Sequence, residues 1–201
     1  MSTTSPTASP TESRPARLIT EILAPANLVV GILLVIGWHS TSSLAGAGWG
    51  LLAGLFCGGL PITGIIIGAR RGLWTDKHIK VRSQRWIPLG GTLASVLLGI
   101  ALLAILDAPQ DVIALVLAMI AGLLLTMLVT IWWKVSVHTA VASGVVSVLA
   151  VALGPWAIFG YIGVIAVGWS RVSLRDHTTA QTVVGAFLGA AAAISVFAAL
   201  R

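Results

Sequence analysis

The sequence predicts an all-α protein, a polytopic transmembrane bundle of six to seven membrane helices. Of its 201 residues, 57% are hydrophobic and only 9% are charged, whereas a soluble domain is roughly half apolar and a quarter charged. The apolar residues form long runs, and a helix of about 20 such residues crosses the hydrocarbon core of a membrane. Glycine is frequent inside these runs, as it is in membrane helices.

Two regions differ in composition, and they define the predicted domains. Residues 1–17 are rich in Ser, Thr and Pro and have almost nothing to bury, so we expect a disordered tail. Residues 18–201 are expected to form one transmembrane domain, because seven crossings of about 20 residues each use most of the chain. No convincing small-residue cleavage site follows the first apolar run, which indicates a retained helix rather than a signal peptide.

Seven apolar segments follow the tail, and their lengths and their polar, Gly or Pro boundaries predict membrane helices. The fifth and sixth are short and are divided only by Gly154 and Pro155, so two crossings and one kinked helix both remain open. Tryptophans near the segment ends match the aromatic belt of membrane interfaces. In chain order the segments are 22–38, 47–69, 89–106, 112–132, 139–153, 156–170 and 181–200.

Small residues spaced by four recur in these segments and predict close helix packing. The same pattern is compatible with a homo-oligomer, which it does not require. The residues are Gly50, Gly54 and Gly58, then Gly64 and Gly68, then Gly185 and Gly189.

The basic residues lie mostly on one face of the predicted bundle. If all seven segments cross, the connections after the second, fourth and sixth share a face with the N-terminus. Eleven of the twelve Lys and Arg residues then lie on that face. The positive-inside rule makes it cytoplasmic, so we predict a multi-pass protein of the cell membrane with this face in the cytoplasm.

The net charge of +6 bounds the partners. Since the basic residues cluster at helix ends beside the membrane, the predicted partners are the bilayer and anionic head groups or phosphates, and not nucleic acid. The only cysteine, Cys57, lies in an apolar run, which leaves neither a disulfide framework nor a thiolate metal site.

Histidines and cations collect on the predicted cytoplasmic face without a cluster of carboxylates. Arginine forks match phosphate oxygens, and a neutral histidine can act as a nucleophile or general acid. A three-histidine zinc site is disfavoured because there is no HxxxH or HxH pair and the cations would repel a divalent ion, so we predict no metal and no cofactor. The candidate residues are His78, His138, His177, Arg82, Arg85, Lys134, Arg171 and Arg175.

Three motifs occur in order on this face. Ser170 to His177 reads SRxxxxxH, Ser136 and His138 form SxH, and a basic stretch ending at Arg85 precedes both. Their order and spacing resemble the signature motifs KxxxxxxRP, PSGH and SRxxxxxHxxxD of the type 2 phosphatidic acid phosphatase superfamily. The resemblance covers residues 70–190, and its third motif is the most specific. It implies a helical membrane phosphatase that needs no metal.

The resemblance also implies a role for each matching residue. His177 would attack phosphorus to form a phosphohistidine, which water then hydrolyses. His138 would protonate the leaving oxygen, and Arg171 would hold the phosphate oxygens. Arg85 would hold phosphate oxygens as well, and Ser136 would complete the phosphate cradle. Beside the resemblance, the basic residues themselves make Arg82, Lys134 and Arg175 further phosphate-binding candidates.

The motifs depart from the superfamily's pattern at several positions. Gln181 stands where the third motif has an acid, and it can fix a histidine tautomer but cannot supply a charge. Val135 and Val137 replace the proline and glycine of the second motif. His78 and Trp86 replace the lysine and proline of the first.

Some of these residues have simpler interpretations. Asp176 is adjacent to His177 in sequence, which makes it a poor substitute for the missing acid on helical geometry. Ser136 can equally cap a helix that begins near His138. The basic residues Arg70 and Arg71 are expected to set topology or contact head groups.

The sequence therefore predicts a metal-independent membrane lipid phosphatase that hydrolyses a phosphate monoester, polyprenyl-linked or glycerolipid-linked, at the membrane surface. Two alternatives remain open. One is a lipid diphosphatase or phosphotransferase that uses the same phosphohistidine. The other is a lipid-phosphate binding or transport protein without hydrolytic activity, in which Gln181 marks the loss of hydrolysis.

Overall fold

The computed structural model describes residues 13–74 and 82–201, and all side chains in these ranges except those of Arg82 and Ser83. This part of the chain is helical and contains no strand. The α-helices are α1 (Arg14–Ile22), α2 (Pro25–Thr41), α3 (Leu44–Gly54), α4 (Leu60–Arg70), α5 (Trp86–Ile105), α6 (Gln110–Trp132), α7 (Val137–Leu153), α8 (Tyr161–Ser173), α9 (Thr179–Ala192) and α10 (Ala198–Leu200). Turns of 3₁₀ helix cover Arg82–Arg85 and Pro155–Gly160, and π-helical turns cover Leu55–Gly59 and Ala193–Phe197.

Five helical segments are long and apolar enough to cross a membrane. A sixth results if α1 and α2, which meet at a bend of 40°, count as one broken span, and α7 is a shorter apolar helix. The predicted all-α bundle of membrane helices is thereby confirmed. The five segments are Leu44–Arg70, Trp86–Ile105, Gln110–Trp132, Pro155–Ser173 and Thr179–Leu200.

Helix α1 begins earlier than the sequence predicts. It starts at Arg14, so residues 14–17, predicted as the end of a disordered tail, are helical. A proline at the first helical turn favours this start because its missing N–H is not needed there, and Ala16 and Thr20 are buried where α1 packs on α8. Residues 1–12 lie outside the described residues.

The break at Gly154 separates two antiparallel helices. Gly154 has a φ of 116°, which favours glycine, and the chain turns back there so that α8 packs on α7. The Tyr161 hydroxyl lies 3.2 Å from the Ser143 hydroxyl and 3.0 Å from that of Ser147. The fifth and sixth apolar segments are therefore two helices and not one kinked helix.

The predicted small-residue packing is present at most of its positions. A Cβ on Gly50 would lie 2.4 Å from the Leu33 carbonyl oxygen, so α2 and α3 are in backbone contact. Gly68 packs against the Trp74 ring. The prediction is wrong for Gly64, where a Cβ would meet nothing within 4 Å.

Hydrogen bonds show which connections share an end of the bundle. Arg85, before α5, donates to the Val135 carbonyl before α7, and Lys134 donates to the Asp176 carbonyl before α9. At the other end, Gln110 bonds to the Leu200 carbonyl and Arg201 to that of Val151. The three basic connections therefore meet at one end, as the parity of the segments predicts.

Candidate active site

The candidate site lies where the connections before α5, α7 and α9 meet. The third of these connections is a tight loop that presents His177. The backbone N–H groups of Asp176 and His177 both bond to the Arg171 carbonyl, at 3.0 and 3.2 Å, and Arg175 turns the chain with a φ of 54°. A left-handed backbone at a residue other than glycine is uncommon. The loop thereby brings His177 next to the last turn of α8, which carries Arg171.

Gln181 holds the ring of His177. The His177 Nδ1 lies 3.1 Å from Gln181 Oε1, which also accepts the backbone N–H of Thr178 at 3.2 Å. Because the Thr178 N–H must donate, the amide oxygen faces it, and the histidine must donate from Nδ1. Nε2 of His177 then carries the lone pair that a nucleophile needs.

The same glutamine is part of the start of α9. The Thr178 hydroxyl accepts the Gln181 N–H at 3.3 Å, and the Gln181 side chain accepts the Thr178 N–H, which together form a capping box. One residue therefore both begins the helix and orients the ring of His177.

Asp176 forms an ion pair with Arg171. The Arg171 Nη2 lies 2.8 Å from Asp176 Oδ2, and both side chains are buried, at 1% and 3% exposed. Lys134 donates to the backbone carbonyl of the same aspartate. In the sequence, this carboxylate was considered only as a partner for His177. The ion pair could have been predicted, because a buried arginine needs a counter-ion and Asp176 is the only acidic residue after Asp111.

The connection before α7 is hydrogen-bonded both to the connection before α5 and to the first turn of α9. The Arg85 guanidinium donates to the Val135 carbonyl at 2.9 Å and is 5% exposed. The Ser136 N–H donates to the Gln181 carbonyl at 3.2 Å, and the Ser136 hydroxyl accepts the Thr139 N–H at 3.4 Å. The serine is thus the N-cap of α7, the simpler of its two interpretations, and lies fully buried beside the site.

Burial and neighbouring cations hold His177 in its neutral form. Burial, and to a lesser extent the charges of Lys134, Arg85 and Arg171, together lower the pKa of this imidazole from 6.5 to about 3, against a smaller opposing effect of the Gln181 bond. Burial, the charge of Arg171 and the opposing charge of Asp176 leave the pKa of Arg85 at about 10. At neutral pH the site therefore combines a neutral histidine with charged arginine.

An apolar cavity of about 440 Å³ opens at this cluster. Arg85, His138 and His177 line it at the end of the bundle where the basic connections meet, and the remaining lining comes from α2, α4, α5, α6, α7, α9, the two π-helical turns and Glu21 of α1. This volume lies within the range of about 300–1,000 Å³ that is usual for small-molecule sites. His138 is 8% exposed and reaches the cavity from the first turn of α7.

Other predicted site residues are not assembled by the described part of the chain. Arg175 is exposed, whereas Arg85 and Arg171 are buried. The side chain of Arg82, and His78 as a whole, lie outside the described residues. Within 13–74 and 82–201, no group of three His, Cys, Asp or Glu side chains could hold a metal ion.

No family model, curated protein or solved structure matches the chain. The functional assignment therefore rests on the side chains that the fold brings together and on the cavity that they border. These are a neutral, oriented histidine, a second buried histidine and the buried Arg85, all of which line the apolar cavity, with the buried ion pair of Arg171 and Asp176 beside them.

Proposed function

We propose that this protein is a membrane lipid phosphatase that hydrolyses a phosphate monoester through a phosphohistidine. The observation that carries the proposal is the position of His177, His138 and Arg85 at one end of an apolar cavity between membrane helices. A lipid phosphate has the matching form, with a charged head group joined to an apolar tail. The head group would lie at the bundle's basic end while the tail stays at membrane depth.

The cations supply phosphate recognition. Arg85, Lys134 and Arg171 all lower the pKa of His177 through their charges. The same charges would attract a phosphate bound next to His177. Buried cations are favourable for an anion because they are already desolvated and fixed in place. Asp176 holds Arg171 by an ion pair, so we assign it as the residue that positions this arginine.

In the first step, Nε2 of His177 attacks phosphorus. A nitrogen–phosphorus bond forms as the bond from phosphorus to the lipid oxygen breaks, and His138 gives a proton to that leaving oxygen. The product is the lipid alcohol. Gln181 supports the step because it keeps the His177 proton on Nδ1, and the arginines offset the charge that spreads over the phosphoryl oxygens.

In the second step, water releases the phosphate. His138, now neutral, accepts a proton from the water that attacks phosphorus, and the nitrogen–phosphorus bond breaks. Inorganic phosphate leaves and His177 returns to its neutral form. Catalysis of this type depends mostly on positioning and on fixed charges, which agrees with the burial of the cluster.

The resemblance to the type 2 phosphatidic acid phosphatase superfamily belongs to the same proposal. His177, His138 and Arg171 occupy the positions that the motifs require, and they collect at one site. Gln181 takes the position of the missing acid next to the histidine. It therefore orients the ring as an acid would, without supplying the negative charge that stabilises a phosphohistidine cation.

The cytoplasmic orientation is also proposed. It rests on the eleven of twelve basic residues that parity places at the end of the bundle that carries the site. A phosphatase facing the cytoplasm would act on lipid phosphates that are made on that side of the membrane.

The test is phosphate release by detergent-purified protein in the presence of a chelator. The substrates are dodecyl phosphate, phosphatidate, phosphatidylglycerol phosphate and a polyprenyl phosphate. We expect release from at least one of them, and loss of release to background in His177→Ala. His39→Ala is the matched control, because His39 is exposed at the opposite end of α2 and its removal should leave the rate unchanged.

The alternatives give different outcomes. Tight binding of a lipid phosphate without release of phosphate would identify a binding or transport protein, which the charge-neutral Gln181 favours. Release only from a diphosphate, or transfer to an alcohol, would identify a diphosphatase or a phosphotransferase. Release that His177→Ala leaves intact would overturn the mechanism.

A further inference from the structure

We infer that the cavity takes a single lipid tail and selects it by length, because its inner end is closed by the core of the bundle. The inference rests on the proposed function for recognition of the head group, whereas the geometry of the cavity supports the limit on tail length. The inference narrows the substrate class to lipid phosphates with a single tail. It excludes long polyprenyl tails, because such a tail lying straight would be longer than the cavity.

The cavity extends from the site toward the middle of the bundle. On α7 its lining runs from His138 to Val148, and ten residues of helix span about 15 Å. The hydrocarbon core of a membrane is about 30 Å thick. A tail that begins at the site therefore reaches about halfway across the membrane before it meets the end of the cavity.

The inner end is closed by packed side chains. Ile32, Cys57, Val96, Leu115 and Val148 line the cavity and also belong to the main buried core, where none of them is more than 8% exposed. They come from five different helical elements. We call this set the floor of the cavity.

The side of the cavity provides access from the bilayer. Pro25 and Asn27 at the start of α2 and Ile62 and Ile66 of α4 all line it. Helix α4 packs against α5, α2 packs against α3, α6 and α7, and both contact the π-helical turn Leu55–Gly59. Since α2 and α4 line the same cavity, we infer that a tail enters between these two helices without leaving the apolar phase.

The volume fits one tail. If each heavy atom of the tail occupies ~30 Å³, as a water molecule does in the liquid, the cavity volume of about 440 Å³ holds a chain of roughly 15 heavy atoms. A tail in a bilayer is already in an apolar environment, so burial in the cavity adds little affinity. Selection must come from the floor, because a tail longer than the cavity either displaces packed core side chains, which is costly, or bends out between α2 and α4 and loses its contacts with the floor.

The experiment measures kcat/KM for decyl, dodecyl, tetradecyl, hexadecyl and octadecyl phosphate at one mole fraction in mixed micelles. We expect a maximum at a tail that fills the cavity, and a loss of about ten-fold or more for the longest tail. Ala118→Phe, one helical turn from Leu115 on the cavity wall, should move the maximum to shorter tails. Gly122→Leu should also move the maximum to shorter tails, and it tests the same point if Ala118→Phe does not fold. A Cβ at Gly122 meets only Ala192, at 3.7 Å, so a side chain can be added there.

The matched control is Leu124→Phe on the same helix, whose side chain is 47% exposed on the outer face of the bundle and should leave the maximum in place. Binding of the corresponding alkyl phosphonates, measured by calorimetry, separates the two proposals because a phosphonate cannot be hydrolysed. Length-dependent binding without turnover would overturn the phosphatase and keep the tail cavity. Turnover or binding that ignores tail length, or a maximum that neither cavity variant moves, would overturn the length selection.

Discussion

In the proposed mechanism, two separate effects prepare His177 for nucleophilic attack. Burial and nearby cations keep the ring neutral, and Gln181 keeps the remaining proton on Nδ1. The first effect needs only the position of His177 in the fold, but the second depends on one side chain. Substitution of Gln181 can therefore change the orientation of the ring without changing its burial.

Gln181→Leu should lower phosphate release by roughly 100-fold, because a ring that is free to turn loses the attack geometry. Gln181→Glu should instead release phosphate at least as fast as the wild type, since it keeps the length and the oxygen acceptor and adds a charge that stabilises the phosphohistidine. The measurement is kcat for the best substrate found for the wild-type protein.

The leucine variant also removes half of the capping box of α9, so a control must separate the two effects. Thr178→Ala removes the other half of the box and leaves the bond between Gln181 and His177 in place. It should destabilise α9 by about 1 kcal/mol and leave kcat nearly unchanged. Equal losses of kcat in Thr178→Ala and Gln181→Leu would show that the glutamine acts only through the helix.

The lowered pKa of His177 predicts a pH-dependent stability. Between pH 6.5 and about 3 the unfolded chain binds a proton that the folded protein does not, so stability falls as the pH falls through this window. Two pH units within it correspond to at most about 3 kcal/mol. The wild-type protein should therefore lose more thermal stability between pH 7 and pH 4.5 than His177→Gln, and equal losses would contradict the lowered pKa.

Among the helices, α7 and α9 matter most for the site, because α7 carries His138 and α9 follows directly on His177. Their backbones touch. A Cβ at Gly189 would lie only 1.9 Å from the Ala140 carbonyl oxygen, and one at Gly185 would lie 2.5 Å from that of Ser136. The two predicted packing glycines therefore set the distance between the helices that carry the two histidines.

Gly189→Ala should force α7 and α9 apart. Overpacking of this kind costs about 1–3 kcal/mol, and we expect a lower melting temperature together with a lower kcat, because the two histidines no longer face the same phosphate. Thermal unfolding and phosphate release of the purified variant measure both effects.

Gly163→Ala is the matched control for this substitution. It lies in the helix α8, where a Cβ meets nothing within 4 Å, and alanine is the better helix former. Its stability and kcat should stay at or above those of the wild-type protein. A loss of stability in Gly163→Ala as large as that in Gly189→Ala would contradict the role of close α7–α9 contact.

For the whole molecule, the ends of the bundle differ in charge and in chemistry. The basic connections meet at one end, and the α5–α6 and α7–α8 connections lie at the other. The site, the mouth of the cavity and helix α1 share the basic end. Under the proposed function, the orientation of the bundle therefore decides which side of the membrane supplies the substrate.

The cytoplasmic orientation can be tested with introduced cysteines, because the only native cysteine, Cys57, is buried. Arg175→Cys reports on the exposed loop at the site, and Ser42→Cys reports on the exposed α2–α3 connection at the other end. In intact cells a membrane-impermeant maleimide should label Ser42→Cys and not Arg175→Cys. After permeabilisation both should be labelled, and the reverse pattern in intact cells would place the site outside.

Hydropathy and chain order by themselves predicted the all-α bundle of long apolar helices and the collection of the basic connections at one end, although five helical segments, or six with the bent pair α1 and α2, are long enough to cross where six to seven were predicted. These properties are local or follow from counting crossings, because every backbone group in a membrane must be satisfied within its own helix. The order of the motifs also indicated His138, Arg171 and His177 as a group. The start of α1 at Arg14 was missed because its stability comes from packing on α8, about 150 residues further along the chain.

Only the tertiary structure decided how the site residues are paired. The sequence does not show that Asp176 binds Arg171, that Arg85 bonds to the Val135 carbonyl, or that Arg175 is exposed, because a tight loop and contacts between helices far apart in the chain decide these positions. The floor of the cavity is another such case, since its residues come from five elements that only the tertiary structure brings together. Periodicity predicts that a helix forms, and the packing of the helices against one another decides which side chains meet.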